Sequence, residues 1–544
     1  GRTARENVSA LVDDGSFVEY GRFVTAAQAQ RRPLEELLDR SVADGIVVGL
    51  ATIDGHQVAV MSYDYLVMAG TQGMRGHRKT DRLIDVVSRL GLPTVFFAAG
   101  GGGRPGDTDI PLVSALDVTT FAAWARLSGR VPRIAVVEDN CFAGNAVIAG
   151  CSDLIVATDR ASLGMGGPAM IAGGGLGDVA AADVGPIEVM EANGVVDVTT
   201  DDAVGTAREL IGYFLGRSSS WTGPDQSPLR DAVPEGERTA YELLPIVETL
   251  CDEDSVTVLR PAFAPELLTA LGRVEGRTVG VLGNDTRHWA GAITADAGDK
   301  AARFLQLCDA HGFPVVSLVD TPGMMVGADA ERTGLVRHTS RLLVAAARME
   351  VPLIGVVLRR GDGLGAQAML GGSPHEPLMT LAWPGAHLGA MGLEGAVRLS
   401  MRRELEAIED EAERALGLPA GDQEMILVLQ DRRFAGDNEL TYIGSGMGTM
   451  MTRMRGFLGD RILVNGQPDS AREVATRPYR LRILNGSNSR IYKLAWSDGR
   501  PMTVLGTDGG LLAAPVTDTI KEVVPGSDQV VATRDRKQLW RAFT

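Results

Sequence analysis

An internal repeat constrains this chain more than any local pattern does. Val8–Phe17 is echoed by Val247–Val256, Asp54–Ala59 by Glu275–Gly280, and Lys79 by Lys300, each lysine opening a helical pattern. Leu92-Pro93 ahead of Thr94–Phe97 is echoed by Phe313-Pro314 ahead of Val315–Leu318. The last three pairs share an offset of 221 residues (300 − 79), and Ala161–Gly164 returns as Ala386–Gly389 at 225 (386 − 161). An offset held across several elements means two copies of one supersecondary unit, and such a duplication sets the architecture before any single element does.

Within each copy, β-branched runs alternate with helical spacing, as in Arg82–Leu90 and Ala301–Cys308. Strands alternating with helices predict an α/β fold. The polar stretch 217–240, with Pro224, Pro228 and Pro234, reads as a linker between the copies. After about residue 415 the texture changes. A helical stretch rich in Arg and Glu, Glu394 to Arg414, gives way to short runs at Met425–Leu429, Arg461–Val464 and Tyr479–Leu484. Two of these precede Asn-Gly pairs, which predicts antiparallel β-structure.

Composition removes several functions. At 544 residues, three domains are expected. A net charge of −16 and the lack of a long basic run argue against a nucleic-acid surface and make no case for anionic membranes. Cys141, Cys151, Cys251 and Cys308 form no C-x-x-C pair, and the seven histidines show no metal-binding spacing, so no metal is expected and a reducing cytoplasm fits. No apolar stretch approaches the length of a membrane span. The chain opens on Gly1 without a signal-like segment and reads as a trimmed or partial N-terminus. Val319–Gly323 mimics a nucleotide-switch D-x-x-G, but there is no phosphate-cradling partner motif. No G-x-S-x-G supports a hydrolase. His77 and Lys79 fit either a phosphate contact or a solvated helix start, and the glycine-rich stretch 164–177 reads as a surface or active-site lid loop.

Each copy also carries a glycine turn after an apolar run that starts near a proline. Val131–Val137 leads to Cys141-Phe142-Ala143-Gly144-Asn145, and Val351–Leu358 leads to Gly363-Leu364-Gly365-Ala366, with Gly144 and Gly365 at the 221 offset. A strand running through glycine into a helix presents backbone N–H groups that bind developing negative charge. Two such turns suit a reaction with two oxyanions. A pair of tight strand–helix turns with no catalytic role is the plain alternative.

Further motifs carry a resemblance. Asp13–Glu19, Gly100-Gly101-Gly102-Gly103-Arg104, Val319-Asp320-Thr321-Pro322-Gly323, Gly334–His338, Gly365-Ala366 and Met391–Ala396 together resemble the carboxyltransferase β subunit of biotin-dependent acyl-CoA carboxylases, of the propionyl- and acetyl-CoA type, over residues 1 to about 415. The resemblance implies two tandem crotonase-like (ββα superhelix) domains, 1–220 and 241–415. It implies transfer of a carboxyl group from carboxybiotin to the α-carbon of a short-chain acyl-CoA. Gly144 and Asn145 would stabilise the acyl-CoA enolate, and Gly365 and Ala366 the ureido oxyanion of biotin. Gly101, Gly102, Gly103, Arg104, Gly166, Gly167, Gln367 and Ala368 would line the substrate site. The expected partners are a biotin carboxylase/biotin carrier subunit and further copies in a homohexamer. A biotin-dependent decarboxylase running the transfer backwards, or an inactive chimeric scaffold, are the alternatives.

Three departures stand out. Asn145 occupies a position that is usually glycine, so its side chain is expected to narrow the approach. Ala368 is expected to leave room in the acyl pocket. Asp362 sits where an aromatic residue is common. Residues 417–515, through Gly417–Pro419, Leu429–Phe434, Gly459–Gly466, Arg482–Arg490 and Gly506–Gly510, resemble an incomplete all-β cupredoxin-like fragment of a multicopper oxidase. No His follows His387 and no Cys follows Cys308, so this segment lacks the copper ligands of that family. A mis-joined reading frame near Ala415 is the simplest account, and residues 516–544 are unassigned.

Overall fold

The computed structural model describes residues 2–110, 117–234, 236, 238–392, 424–434, 458–468, 480–487, 490 and 492–494, together with strands at 512–515, 520–523, 530–534 and 540–543. The expected helix 394–414 lies outside the described residues. Two compact units divide the chain, Gly1–Leu388 and Gly389–Thr544.

The first unit is mixed α/β and holds two sheets of the same design. In one, the strands run Val18–Tyr20, Ile46–Ile53, His56–Tyr63, Thr94–Phe97, Arg133–Val137, Leu154–Ala157 and Val198–Thr199. In the other they run Thr257–Leu259, Leu267–Val274, Arg277–Asn284, Val315–Thr321, Leu353–Asp362 and Met379–Ala382, with His387–Gly389 also pairing Leu353–Asp362. The first three strands of each sheet are antiparallel and the next are parallel.

The duplication reaches the backbone itself. Each long hairpin turns on a left-handed pair, Asp54-Gly55 in one half and Glu275-Gly276 in the other. Asp13 accepts hydrogen bonds from the N–H groups of the first turn (3.0 and 2.9 Å), and Asp252 does the same in the second (2.9 and 2.7 Å). The helices Met74–Leu90 and Ala295–His311 cover the sheets through buried Leu83, Ile84 and Val87, and through buried Ala301, Phe304 and Leu305. Both stop at a left-handed glycine, Gly91 and Gly312, and the next residue donates back to Val87 or Cys308.

The offset of 221 does not survive the whole unit. Thr94 pairs with Arg133, whereas its counterpart Val315 pairs with Leu353, so from the fifth strand onward the halves correspond at 220 (353 − 133). Further on, Ile134 pairs Leu154 while Ile354 pairs Met379, which gives 225 (379 − 154).

In the second unit, Glu424–Arg432 pairs antiparallel with Arg461–Val464, which turns at left-handed Asn465-Gly466 into Gln467–Pro468. The expectation of purely antiparallel structure is corrected here, because Glu424–Arg432 pairs in parallel with Arg480–Asn485. The hairpin between these strands lies on the opposite edge, so the chain returns in the same direction on the other side of the central strand.

Candidate active site

In the run Gly100 to Gly103, backbone crowds the first two positions, and Gly102 takes a left-handed φ of 81°. A Cβ at Gly100 would sit 2.0 Å from the Ala69 carbonyl oxygen, and one at Gly101 would sit 1.9 Å from that of Phe142. Gly100-Gly101 pairs with Asn140–Phe142, which pairs in turn with Ser162–Gly164. This small sheet stands at the head of helix Ala143–Gly150. The structure therefore gathers Gly101, Gly102, Gly103, Gly144, Gly166 and Gly167 at one place, with Gly167 against the Phe142 ring.

The helix Gly363–Met369 is the second copy of this turn. Ala143 and Gly363 both open their helices in the left-handed region, at φ 49° and 60°. The first-turn amides are those of Gly144 and Asn145 in one half and of Leu364 and Gly365 in the other, positions that helical geometry leaves without intrahelical partners. Gly144 thus corresponds to Leu364, not to Gly365. The N–H of Ala366, one residue further on, falls to the helix's own ladder. Gly365 must be glycine, since a Cβ would lie 2.6 Å from the Gly323 carbonyl carbon and 2.9 Å from the Met324 nitrogen. Leu364 is exposed.

Asn145 does not narrow the approach. It is fully buried, and its Nδ2 donates to the carbonyls of Gly70 (3.0 Å) and Ala99 (2.8 Å) while Oδ1 accepts from Gln72 Nε2 (2.8 Å). Ala368 is likewise fully buried in the core, so it does not enlarge an open pocket; Gln367 is exposed. A residue's place on the helical turn, rather than its size, decides which of these faces inward.

Arg104, expected at the substrate, is buried. Its guanidinium pairs with Asp44 and donates to the carbonyl of Thr71 (3.0 Å), which ties the glycine run to the preceding helix entry. Burial raises the Asp44 carboxyl above its ordinary value even with Arg104 beside it. His77 and Lys79 also point inward. His77 bonds Thr120 (2.9 Å), and Lys79 Nζ donates to the Ala43 carbonyl (2.8 Å). Burial lowers the Lys79 amine to about 8 and its counterpart Lys300 to about 7.

Behind the second turn, buried Asp320 accepts from Arg359 (3.0 Å), Arg360 (2.9 Å) and Tyr241 (2.9 Å). Arg359 also donates to the carbonyl of Thr239 (2.8 Å), so the stretch between the halves is anchored at the site. No sequence motif marks Gln72 or Tyr241, although the isolated bridge Gln72–Gly103 recurs as Ile293–Met324 at the 221 offset. A cleft of about 980 Å³ opens between the halves at the far end of helix Ala143–Gly150, lined by Cys151, Asp153, Arg303, Arg337 and Arg341 among others, and it does not include the glycine turns.

These features define a class. The carboxyl transferase domain family matches residues 1–437, and the chain belongs to it. It is a carboxyltransferase of the β-subunit kind found in biotin-dependent acyl-CoA carboxylases. The match runs beyond residue 415, past the junction expected from sequence.

The chain is 32% identical over 431 residues to the propionyl-CoA carboxylase beta chain of Saccharopolyspora erythraea, covering 75% of this chain and 78% of that one. It is 33% identical to the methylmalonyl-CoA carboxyltransferase 12S subunit of Propionibacterium freudenreichii subsp. shermanii, covering 75% and 79%. Among solved structures, a single-chain, multi-domain long-chain acyl-CoA carboxylase superposes with a TM-score of 0.71 at 51% identity, over 73% of this chain and 41% of that longer one. The hexameric transcarboxylase 12S structure with methylmalonyl-CoA superposes with a TM-score of 0.67 at 32% identity, over 76% and 81%. Among the described residues, no helix is long and apolar enough to cross a membrane.

Proposed function

We propose that the two glycine turns are the two anion sites of one carboxyl transfer between carboxybiotin and an acyl-CoA. The observation that carries this reading is the duplicated strand–turn–helix, in which a left-handed first residue is followed in each half by two first-turn amides outside the helical ladder. The N–H groups of Gly144 and Asn145 bind the thioester oxygen of the acyl-CoA and stabilise its enolate. The N–H groups of Leu364 and Gly365 hold the ureido oxygen of biotin. Carboxybiotin, carried by a partner subunit, supplies the carboxyl group. The glycine crowding around Gly365 and the absence of charged side chains on helix Gly363–Met369 fit a neutral ureido ring lying against backbone.

The two halves are read as crotonase-like domains spanning 1–220 and 241–415, working with a biotin carboxylase/biotin carrier partner in a hexamer like that of the 12S relative. The acyl group is short in the reading from sequence, whereas a relative at 51% identity takes long chains. Residues 417–515 are read as a cupredoxin-like segment without a part in the transfer.

The test is reverse transfer. Full-length protein is given free biotin with malonyl-CoA, methylmalonyl-CoA or a long-chain carboxylated acyl-CoA, and loss of the carboxylated thioester is followed. Biotin-dependent turnover is expected, and the fastest thioester names the acyl class. Silence with all three would remove the catalytic reading and favour a scaffold.

A further inference from the structure

We propose that His387 and Asp362 form a switch that keeps the amides of the second turn open. The proposal rests on the reading of Leu364 and Gly365 as anion donors.

Asp362 is the N-cap of helix Gly363–Met369, with φ −103° and ψ 141°, the backbone conformation of a capping residue. Aspartate is among the strongest N-caps, and it caps by accepting from the second or third helical N–H. Here those are the amides of Leu364 and Gly365, the ones assigned to the anion. Asp362 does not cap: its carboxylate makes no hydrogen bond to the helix. It is 1% exposed, and Oδ1 has no hydrogen-bond partner. That oxygen instead faces His387 Nε2 at 3.6 Å.

The first half has no such conflict, because its N-cap is Phe142, which cannot accept a hydrogen bond through its side chain. A carboxylate at this position would place a negative charge on the donors and compete with the incoming oxyanion. Protonated His387 draws it aside. When the imidazole loses its proton that attraction goes, and the carboxylate is released to cap the helix and close the site. Turnover therefore falls as pH rises through the His387 titration.

Among the described residues, the carboxylates and guanidinium groups on the elements beside the turn pair with one another. Asp320 on the adjacent strand is shared by Arg359 and Arg360, and Arg360 also donates to the Ala290 carbonyl. On that neighbouring segment Asp285 pairs with Arg287, and His288 is exposed. Helix Gly363–Met369 carries no charged side chain.

The experiment uses the full chain with two readouts. One is reverse transfer from the preferred thioester across pH, for the wild type, His387→Gln, Asp362→Ala and the double variant. The other is the titration of isotope-labelled histidine by NMR in the wild type and Asp362→Ala. His387→Gln is expected to lower kcat about 10-fold with little change in KM, since a competed donor is lost only in part. The double variant is expected to recover to within about 3-fold of wild type, because alanine has no side-chain acceptor to cap the donors. Asp362→Ala is expected to lose the alkaline fall in kcat, and its His387 to give up its proton at lower pH than in the wild type. A double variant as slow as His387→Gln, an alkaline limb unchanged in Asp362→Ala, or a His387 titration indifferent to Asp362 would each overturn the switch and leave the carboxyltransferase reading standing. No turnover by the wild type at any pH would sink that reading and the switch with it.

Discussion

Gln72 Nε2 donates to Asn145 Oδ1 at 2.8 Å, and that one bond turns the Asn145 amide into the protein and away from the mouth of the first turn. With its two donors on the carbonyls of Gly70 and Ala99, the side chain clamps the loop before helix Met74–Leu90 to the end of strand Thr94–Phe97. The backbone N–H, the group the chemistry needs, lies in the first turn of the helix, outside its hydrogen-bond ladder.

Replacing Asn145 by glycine therefore carries a penalty in this chain. Two buried carbonyls and the Gln72 amide would lose their partner. Asn145→Gly is expected to cost about 1–3 kcal/mol in urea unfolding. An unchanged midpoint would remove the clamp from the account.

Gly365→Ala places a methyl group where backbone already lies, 2.6 Å from the Gly323 carbonyl carbon. The turn has to shift, and its amides shift with it. Reverse-transfer kcat is expected to fall at least about 10-fold, with the larger change in kcat rather than in KM. Equal kcat in the variant would mean that this turn holds no developing charge.

Lys300 sets a pH dependence of stability. Its folded value is lowered to about 7 by burial, so between about pH 7 and 10 the unfolded chain binds the extra proton. Stability from this group rises with pH through that window, and the penalty is fully present below pH 7. Relative to Lys300→Met, the wild type is expected to gain up to about 1.4 kcal/mol per pH unit from pH 7 to 9. Parallel stability curves would mean that the amine is solvated.

The buried pair Asp44–Arg104 makes a fourth test. Arg104→Met leaves the carboxyl of Asp44 without its cation, in a place where burial already raises it. A loss of about 3–5 kcal/mol is expected, part of it regained in the double variant with Asp44→Asn. Additive losses would show that the two side chains do not interact. Acyl-CoA affinity should follow stability in this series if Arg104 only holds the glycine run; a KM effect with no stability effect would restore it as a ligand.

Much of this protein is legible in its sequence because duplication writes the fold twice. The 221-residue spacing of Asp54-Gly55 and Glu275-Gly276, and of Lys79 and Lys300, reports backbone demands that recur wherever the same turn recurs: left-handed positions and buried amines cannot drift freely. Gly100, Gly101 and Gly365 are fixed for a similar reason, since backbone packed against backbone admits no side chain. What the tertiary structure alone decided is direction and register. The one-residue slip between the fourth and fifth strands, which makes Leu364 rather than Gly365 the partner of Gly144, is set by strand pairing and leaves no mark in the local sequence. Nor does spacing tell that Asn145, Arg104, Lys79 and Ala368 face inward, or that Asp362 looks toward His387 instead of capping its own helix. Those choices depend on which carbonyls and charges other segments bring within about 3 Å, a distance that sequence separation does not encode.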